Sequence, residues 1–298
     1  MSYHDPVLLF ESIDGLEINP DGIYVDVTFG GGGHSREILK RLGSKGKLFA
    51  FDQDTDALEN AIDDSRFVLI NENFRFLTRY LKFYGVTEVD GVLADLGVSS
   101  HQFDVAERGF STRFDADLDM RMNQGRKVSA YHVINKYEEE HLATVLFSYG
   151  ELRNARAIAK QIVNARKETW IQTSFQLKTI LKQFLPASKE HKILAQIFQA
   201  VRIEVNEELE ALKEFLIQAK EVLKVGGKLS VISYHSLEDR LVKRFMRSGL
   251  FEGEPEKDFY GNFEVPFKKG KLIIPSAKEI KENNRARSAK LRVAAKLL

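Results

Sequence analysis

The chain contains no cysteine. Disulfides and thiolate metal sites are thereby excluded, and the composition suits a reducing cytosol. No apolar run approaches the roughly 20 residues that cross a bilayer, so no membrane partner is expected. The start, MSYHDPVLLFESIDGLE, has only a short apolar run broken by Asp5, Glu11 and Asp14, unlike a secretory leader, and a cytoplasmic location is expected. Histidines and acids are scattered without ligand spacing, so no metal site is expected. Repeats and low-complexity segments are absent. Charge imbalance is absent too, with 44 basic against 43 acidic residues. That balance hides local excess. From Glu151 to Lys192 there are nine Lys/Arg against three Asp/Glu, and from Lys278 to Leu298 seven against two. Such stretches are either ordinary solvated helix faces or the footprint of a polyanion.

The first hundred residues alternate between two periods. Short, nearly continuous apolar runs at 22–29, 47–52, 66–70 and 90–96 predict strands buried on both faces. Between them, HSREILKRLG, DTDALENAID and RFLTRYLKFYG predict helices, with an acidic start or a closing glycine as caps. Strand–helix alternation implies βαβ units and a parallel sheet. From Tyr131 to Leu223 the pattern is helical, ending in one long helix, IFQAVRIEVNEELEALKEFLIQAKEVL. The sheet pattern returns at 224–235. A helical block interrupting an α/β domain reads as an insertion. The boundaries are 1–103 and 206–298 for the core and 104–205 for the insertion. In the tail, Ala289, Leu291, Val293 and Ala295 alternate with Lys290, Arg292 and Ala294, which predicts an antiparallel strand with a basic face, a helix being the alternative.

The most informative stretch is YVDVTFGGGGHSREILKRL, residues 24–42. Its glycines follow the first strand and open the first helix, where open α/β sheets bind nucleotides. Glycine permits the sharp turn and lets a ligand touch the main chain. Asp52 closes the second strand 22 residues beyond Gly30, near the spacing at which an acid meets ribose hydroxyls. A P-loop ends in Gly-Lys-Ser/Thr, and His34-Ser35 stand there instead, which argues against ATP hydrolysis. A dinucleotide fingerprint asks for a third glycine where Ser35 lies, which argues against a nicotinamide-dependent oxidoreductase. A phosphate-free adenosyl ligand remains, S-adenosylmethionine, whose positive sulfonium suits the strand-end carboxylates Asp26 and Asp95. The chain is thus expected to have a Rossmann-like α/β fold of the class I S-adenosylmethionine-dependent methyltransferases, with an inserted all-helical domain.

The stretch DLGVSSHQFDVAERGFSTRFDADLDMRM, residues 95–122, is more specific. It resembles the signature of the bacterial ribosomal RNA small-subunit methyltransferase H (MraW) family. HDPVLLFE, YVDVTFGGGGHS, FQAVRIEVNEEL, GGKLSVISYHSLEDR and NNRARSAKLRVAAK are similar to other blocks of that family, so the resemblance runs along the whole chain. Departures fall at Asp115-Ala116-Asp117, at Asn283-Asn284 and at His191–Gln196. The resemblance implies N4-methylation of a cytidine in the decoding region of 16S rRNA. The partner is then 16S rRNA, within a small ribosomal subunit or its precursor; the oligomeric state is left open, a homodimer included.

The resemblance also assigns cofactor contacts to Gly32, Gly33, His34, Asp52, Phe74, Asp95 and Gln102. Read on their own, Phe74 fits core packing as well as an adenine, and His34 fits a helix cap. Asp95 and His235, each at a strand end, are the catalytic candidates, with Ser99, Ser100, His101 and Asp104 further along. Arg108, Arg121, Arg153, Arg156 and Lys160 are the candidate rRNA contacts, joined by Arg166, Lys167, Arg285 and Arg287. Phe103, Phe110 or Tyr234 are candidates to stack on an extruded base. A different class of function, a non-catalytic rRNA-binding assembly factor with a vestigial pocket, predicts RNA binding without methyl transfer.

Overall fold

The computed structural model describes residues 6–297; the His4-Asp5 start of the HDPVLLFE block lies outside them. The chain forms two compact units. One holds the residues up to Gly97 together with those from Leu209 on, and the other holds Val98–Glu208. The sequence pattern changes at 104 and 205.

The first unit begins with α1 (Leu9–Asp14), β1 (Ile23–Asp26), α2 (Gly33–Arg41), β2 (Lys47–Phe51), β3 (Phe67–Ile70), α3 (Leu77–Phe83) and β4 (Val89–Asp95). The second unit contains α4 (Ser100–Asp104), α5 (Ala130–Lys136), α6 (Glu139–Ser148), α7 (Ala155–Glu168), α8 (Ser174–Ile180) and α9 (Glu190–Asn206). The chain then continues through α10 (Glu208–Val222), β5 (Leu223–Ser233), α11 (Ser236–Ser248), β6 (Phe267–Ile273), α12 (Ala277–Glu282) and β7 (Lys290–Lys296).

The seven strands form one sheet in the order β3-β2-β1-β4-β5-β7-β6. The first five are parallel, and β7 runs antiparallel to both its neighbours. This is a Rossmann-like α/β sheet. Side chains alternate across it, as the period of two requires. Val25, Phe49, Phe51, Val92 and Ala94 pack on one face with Leu77, Leu81, Phe215, Leu216 and Phe245 from α3, α10 and α11. Tyr24, Leu48 and Leu93 pack on the other with Ile13, Ile38 and Leu39 from α1 and α2. Burial on both faces explains why these strands read as unbroken apolar runs. The basic side of β7 is partnered: Arg292 donates to Asp239 of α11 at 2.7 Å and Lys290 at 3.3 Å.

Two helical expectations are corrected. DTDALENAID forms only a 3₁₀ stretch, Thr55–Asn60, started by the Asp54 side chain accepting from the Asp56 amide. The long helix expected over 197–223 breaks at Glu207, whose φ of 52° is left-handed. Asn206 holds the break, accepting from the Met122 amide and donating to the Met120 carbonyl, both at 2.8 Å. The helical unit has its own core, with Leu142, Leu146, Ile158, Ile162, Leu177, Ile197 and Val201 all buried. Among the described residues no helix is long and apolar enough to cross a membrane.

Candidate active site

The sheet order puts β2, β1 and β4 side by side, and each ends in an acid: Asp52, Asp26 and Asp95. The turn after β1 reaches the end of β2 because Gly30 and Gly32 take left-handed φ of 50° and 75°. Gly32 caps α2 with no side-chain hydrogen bond, so the first amides of a nine-residue helix are left for an outside acceptor. A Cβ on Gly33 would lie 2.1 Å from Cγ of Pro6, and one on Gly32 2.9 Å from the Phe29 ring. Gly32 is therefore needed for space as well as for conformation, and Gly33 for space.

Asp52 is held by the turn itself. Its Oδ2 accepts from the Gly30 amide at 2.7 Å and its Oδ1 from the Asp54 amide at 2.9 Å. Burial raises its pKa to about 6 against those two hydrogen bonds, and the Asp54 and Asp26 charges add to the rise. Each oxygen keeps a lone pair for a diol hydroxyl. Asp26 is fully buried and accepts from the Ser35 hydroxyl at 2.7 Å and the Thr28 amide at 3.1 Å. Burial lifts its pKa to about 6, opposed by the same two partners. Ser35, standing where a dinucleotide site has glycine, thus anchors α2 to the end of β1.

Asp95, unlike Asp26, is partly accessible, with 23 % of its side chain exposed. Its Oδ1 accepts from the Tyr234 hydroxyl at 2.8 Å. Burial raises its pKa to about 7; the Tyr234 hydrogen bond opposes this, and the Asp26 and Glu238 charges reinforce it. The buried phenol is pushed well above its ordinary value by burial and by the carboxylate beside it. Tyr234 is one of three candidates from the sequence to stack on a base. Its ring packs with Val7, Leu8, Ile232, Ala286 and Leu291, because β7 and the segment before it cover it.

His34 is buried, and its Nε2 donates to the Val7 carbonyl at 3.3 Å. Burial lowers its pKa to about 4, so the ring is neutral and Nδ1 is bare, 3.9 Å from Asp95 Oδ2. His235 caps α11: its Nδ1 accepts from the Glu238 amide at 3.4 Å, and Glu238 Oε2 accepts from the Tyr234 and His235 amides. That box shapes the turn after β5, so His235 acts on helix geometry. Phe74 lies in the 3₁₀ turn Phe74–Phe76 after β3, its ring 5.4 Å edge-on from Phe215. It is partly buried, with the sheet core behind it.

The helical unit holds the remaining candidates. Gln102 is buried in α4, where Ser99 and Gln102 form a reciprocal capping box. Ser100, His101 and Asp104 belong to the same short helix, and Phe103 packs on the helical core. Phe110 is buried in that core, away from any base. Arg108 and Arg121, candidate phosphate contacts from the sequence, both hold backbone carbonyls within the fold, Arg108 buried and Arg121 with 26% of its side chain exposed. Arg108 is buried and donates to the carbonyls of Arg121 and Met122 at 3.0 and 3.1 Å. Arg121 grips Asp119 through Nε and Nη2, each at 2.8 Å, and donates to the carbonyls of Gln124 and Arg126. Arg166 similarly donates to the carbonyls of Ile134 and Tyr137. Charge counting cannot separate such clamps from surface cations. Arg153, Arg156, Lys160 and Lys167 are exposed along α7 and just before it, and Arg287 is exposed ahead of β7.

Comparison with known proteins agrees along the whole chain. The model of the MraW methylase family matches residues 1–297. A relative from Christiangramia forsetii, named Ribosomal RNA small subunit methyltransferase H, is 70% identical over 298 residues, covering 100% of this chain and 99% of that protein. Relatives with the same name from Flavobacterium johnsoniae and Bacteroides thetaiotaomicron are 67% and 54% identical, covering 100% and 99% of this chain and 99% and 98% of theirs.

Proposed function

The chain belongs to the MraW methylase family, and from that membership and the strand-end pocket we propose that it methylates N4 of a cytidine in the decoding region of 16S rRNA. It is a methyltransferase of small-subunit ribosomal RNA with the class I fold, and its methyl donor is S-adenosylmethionine. The pocket fits that donor: it offers a glycine-built cradle, an open helix N-terminus and three carboxylates, and no lysine for a phosphate chain. When bound, the donor supplies an electrophilic methyl on a positively charged sulfur that leaves as a neutral thioether.

The chain's own groups divide the work. Asp52, fixed by Gly30 and Asp54, would take the ribose hydroxyls. The first amides of α2, at Gly33 and His34, would take the amino-acid carboxylate, since a helix N-terminus favours an anion. Phe74 would lie along the adenine. Asp26 and Asp95 supply negative charge where a sulfonium would sit.

N4 of cytosine is a weak nucleophile because its lone pair is delocalised into the ring. Asp95 would accept one amine hydrogen, turning the lone pair out of the ring plane. Transfer of the methyl to N4 would leave that nitrogen cationic, with Asp95 or water placed to take its proton. Positioning supplies much of the remaining rate.

The observation that carries the amine assignment is the pairing of an accessible Asp95 with a chain free of cysteine. Methylation at ring carbon C5 needs a nucleophile such as a thiolate to add to the ring first. The test is transfer of labelled methyl from S-adenosylmethionine to unmodified 30S subunits, followed by nucleoside analysis. Label on N4 of cytidine is expected. Label on C5, on a ribose hydroxyl, or nowhere would overturn the assignment.

A further inference from the structure

Among the large aromatic side chains that the helical unit presents to solvent are Phe114, Trp170 and Phe175, at 42%, 45% and 44% exposure, besides Phe147 at 63%. The first three lie on two segments tied together. The Ser174 hydroxyl donates to the Phe114 carbonyl at 2.9 Å, the Phe175 amide donates to Asp115 Oδ1 at 3.1 Å, and Asp117 bridges Thr173. The backbone of Ile171, next to Trp170, is fixed by buried Asn135, which accepts from the Ile171 amide at 2.9 Å and donates to the Ile171 carbonyl at 2.8 Å. Cations rest on the rings. Lys136 Nζ is 4.1 Å from the indole centroid, and the Arg113 guanidinium is 5.8 Å from that of Phe114. The nearby acid Asp115 is exposed, and its Oδ1 accepts from the Ser174 hydroxyl and the Phe175 amide.

Single exposed aromatics need no explanation. Three on braced segments, two with a cation against the ring, match the chemistry of an unpaired nucleic-acid strand: flat bases meet the rings and phosphates meet the cations. Resting on the reading that rRNA is the substrate, we propose that Phe114, Trp170 and Phe175 form a stacking platform for unpaired rRNA bases, with Lys136 and Arg113 holding the flanking phosphates. Backbone bracing lowers the ordering cost when a base arrives.

Trp170 is the sole tryptophan, so its emission reports this surface alone. The full chain is titrated with a protein-free single-stranded oligoribonucleotide, a duplex RNA of equal length, and heparin. The single strand is expected to quench Trp170 saturably, and the duplex and heparin are not. By anisotropy, Trp170→Ala and Phe114→Ala/Phe175→Ala should weaken single-strand binding about tenfold, while Trp170→Phe restores most of it. Donor binding by calorimetry should be unchanged in all variants, which shows that they fold. No quenching, equal quenching by heparin, or wild-type RNA affinity in Trp170→Ala overturns the platform. So does a 30S protein that occupies the patch while RNA leaves the emission unchanged. If RNA quenches Trp170 but the wild type methylates nothing, the methylation reading fails and the platform stands. If Trp170→Ala methylates 30S subunits with unchanged KM, the platform fails and the methylation reading stands.

Discussion

The phenol of Tyr234 donates to Oδ1 of Asp95 at 2.8 Å, while Oδ2 of the same carboxylate faces the bare Nδ1 of neutral His34 at 3.9 Å. The carboxylate at the end of β4 thus has one oxygen fixed and one oxygen facing no donor at hydrogen-bond distance on the histidine side. With Asp95 in the proposed role of proton acceptor, its pKa of about 7 would set the pH dependence of the reaction. The proton acceptor is the ionised form, so kcat/KM should rise with pH through about 7 in wild type. Removing the donor in Tyr234→Phe takes away a hydrogen bond that favours ionisation, and the acid limb should move to higher pH. Asp95→Asn should lower kcat about a hundredfold or more across the range. An unmoved limb in Tyr234→Phe would show that another group controls the profile.

The same shift affects stability of the donor-free protein. The unfolded pKa of an aspartate is about 3.9, and Asp95 in the fold stands at about 7. Between those values the native state binds more protons than the unfolded state, so stability falls as pH rises through the window and is flat above it. Asp26 and Asp52, both at about 6, act in the same direction. His34, at about 4, acts oppositely between pH 4 and its unfolded value near 6.5. Asp95→Asn should therefore show a Tm advantage over wild type that grows from pH 5 to pH 8. Thermal melts across that range check it, and an advantage independent of pH would contradict it.

Gly33→Ala puts a methyl where Pro6 already lies, at 2.1 Å. Relieving that overlap should cost about 1–3 kcal/mol and shift the cradle. A lowered Tm together with weakened donor binding is expected, by melts and calorimetry. Asp52→Ala should leave the chain folded and lose about 1.5–3 kcal/mol of donor affinity, the range for hydrogen bonds to a charged group.

The arginines separate by what they touch. Arg153→Glu with Lys160→Glu alters only exposed groups. It should weaken binding to small-subunit particles, flatten the salt dependence and leave unfolding stability within about 0.5 kcal/mol of wild type. Arg108→Ala leaves two carbonyls without their donor inside the fold and should destabilise the protein by about 1–3 kcal/mol. Denaturant melts and filter binding distinguish the two classes; equal loss of stability in both would contradict the assignment.

What the sequence made legible follows from local physics. β1 to β5 are visible because burial on both faces leaves unbroken apolar runs, and β7 because Leu291 and Lys290 alternate within a short segment. The glycine turn and Asp52 are visible because their spacing is set by one βαβ unit. What stayed hidden depends on contacts distant in sequence. Tyr234 meets Asp95 139 positions away, and no pattern in SYHSLEDR announces it. Arg108 is buried by the carbonyls of residues 121 and 122, whereas its sequence neighbourhood looks like any basic loop. The break at Glu207 depends on Asn206 reaching Met120 and Met122, against a helical pattern that continues through it. His235 was legible as a strand-end histidine but not as a cap, because its partner Glu238 also reads as an ordinary first-turn acid.

Isothermal titration calorimetry of the full chain with S-adenosylmethionine at pH 6.5, in two buffers of different ionisation enthalpy, tests the account most directly. A cation seated beside Asp26 and Asp95 must pull their pKa values down, so saturable binding with net proton release is predicted. S-adenosylhomocysteine, whose sulfur is neutral, should release fewer protons. No binding, or donor binding without proton release, would contradict the placement of the sulfonium at the ends of β1 and β4.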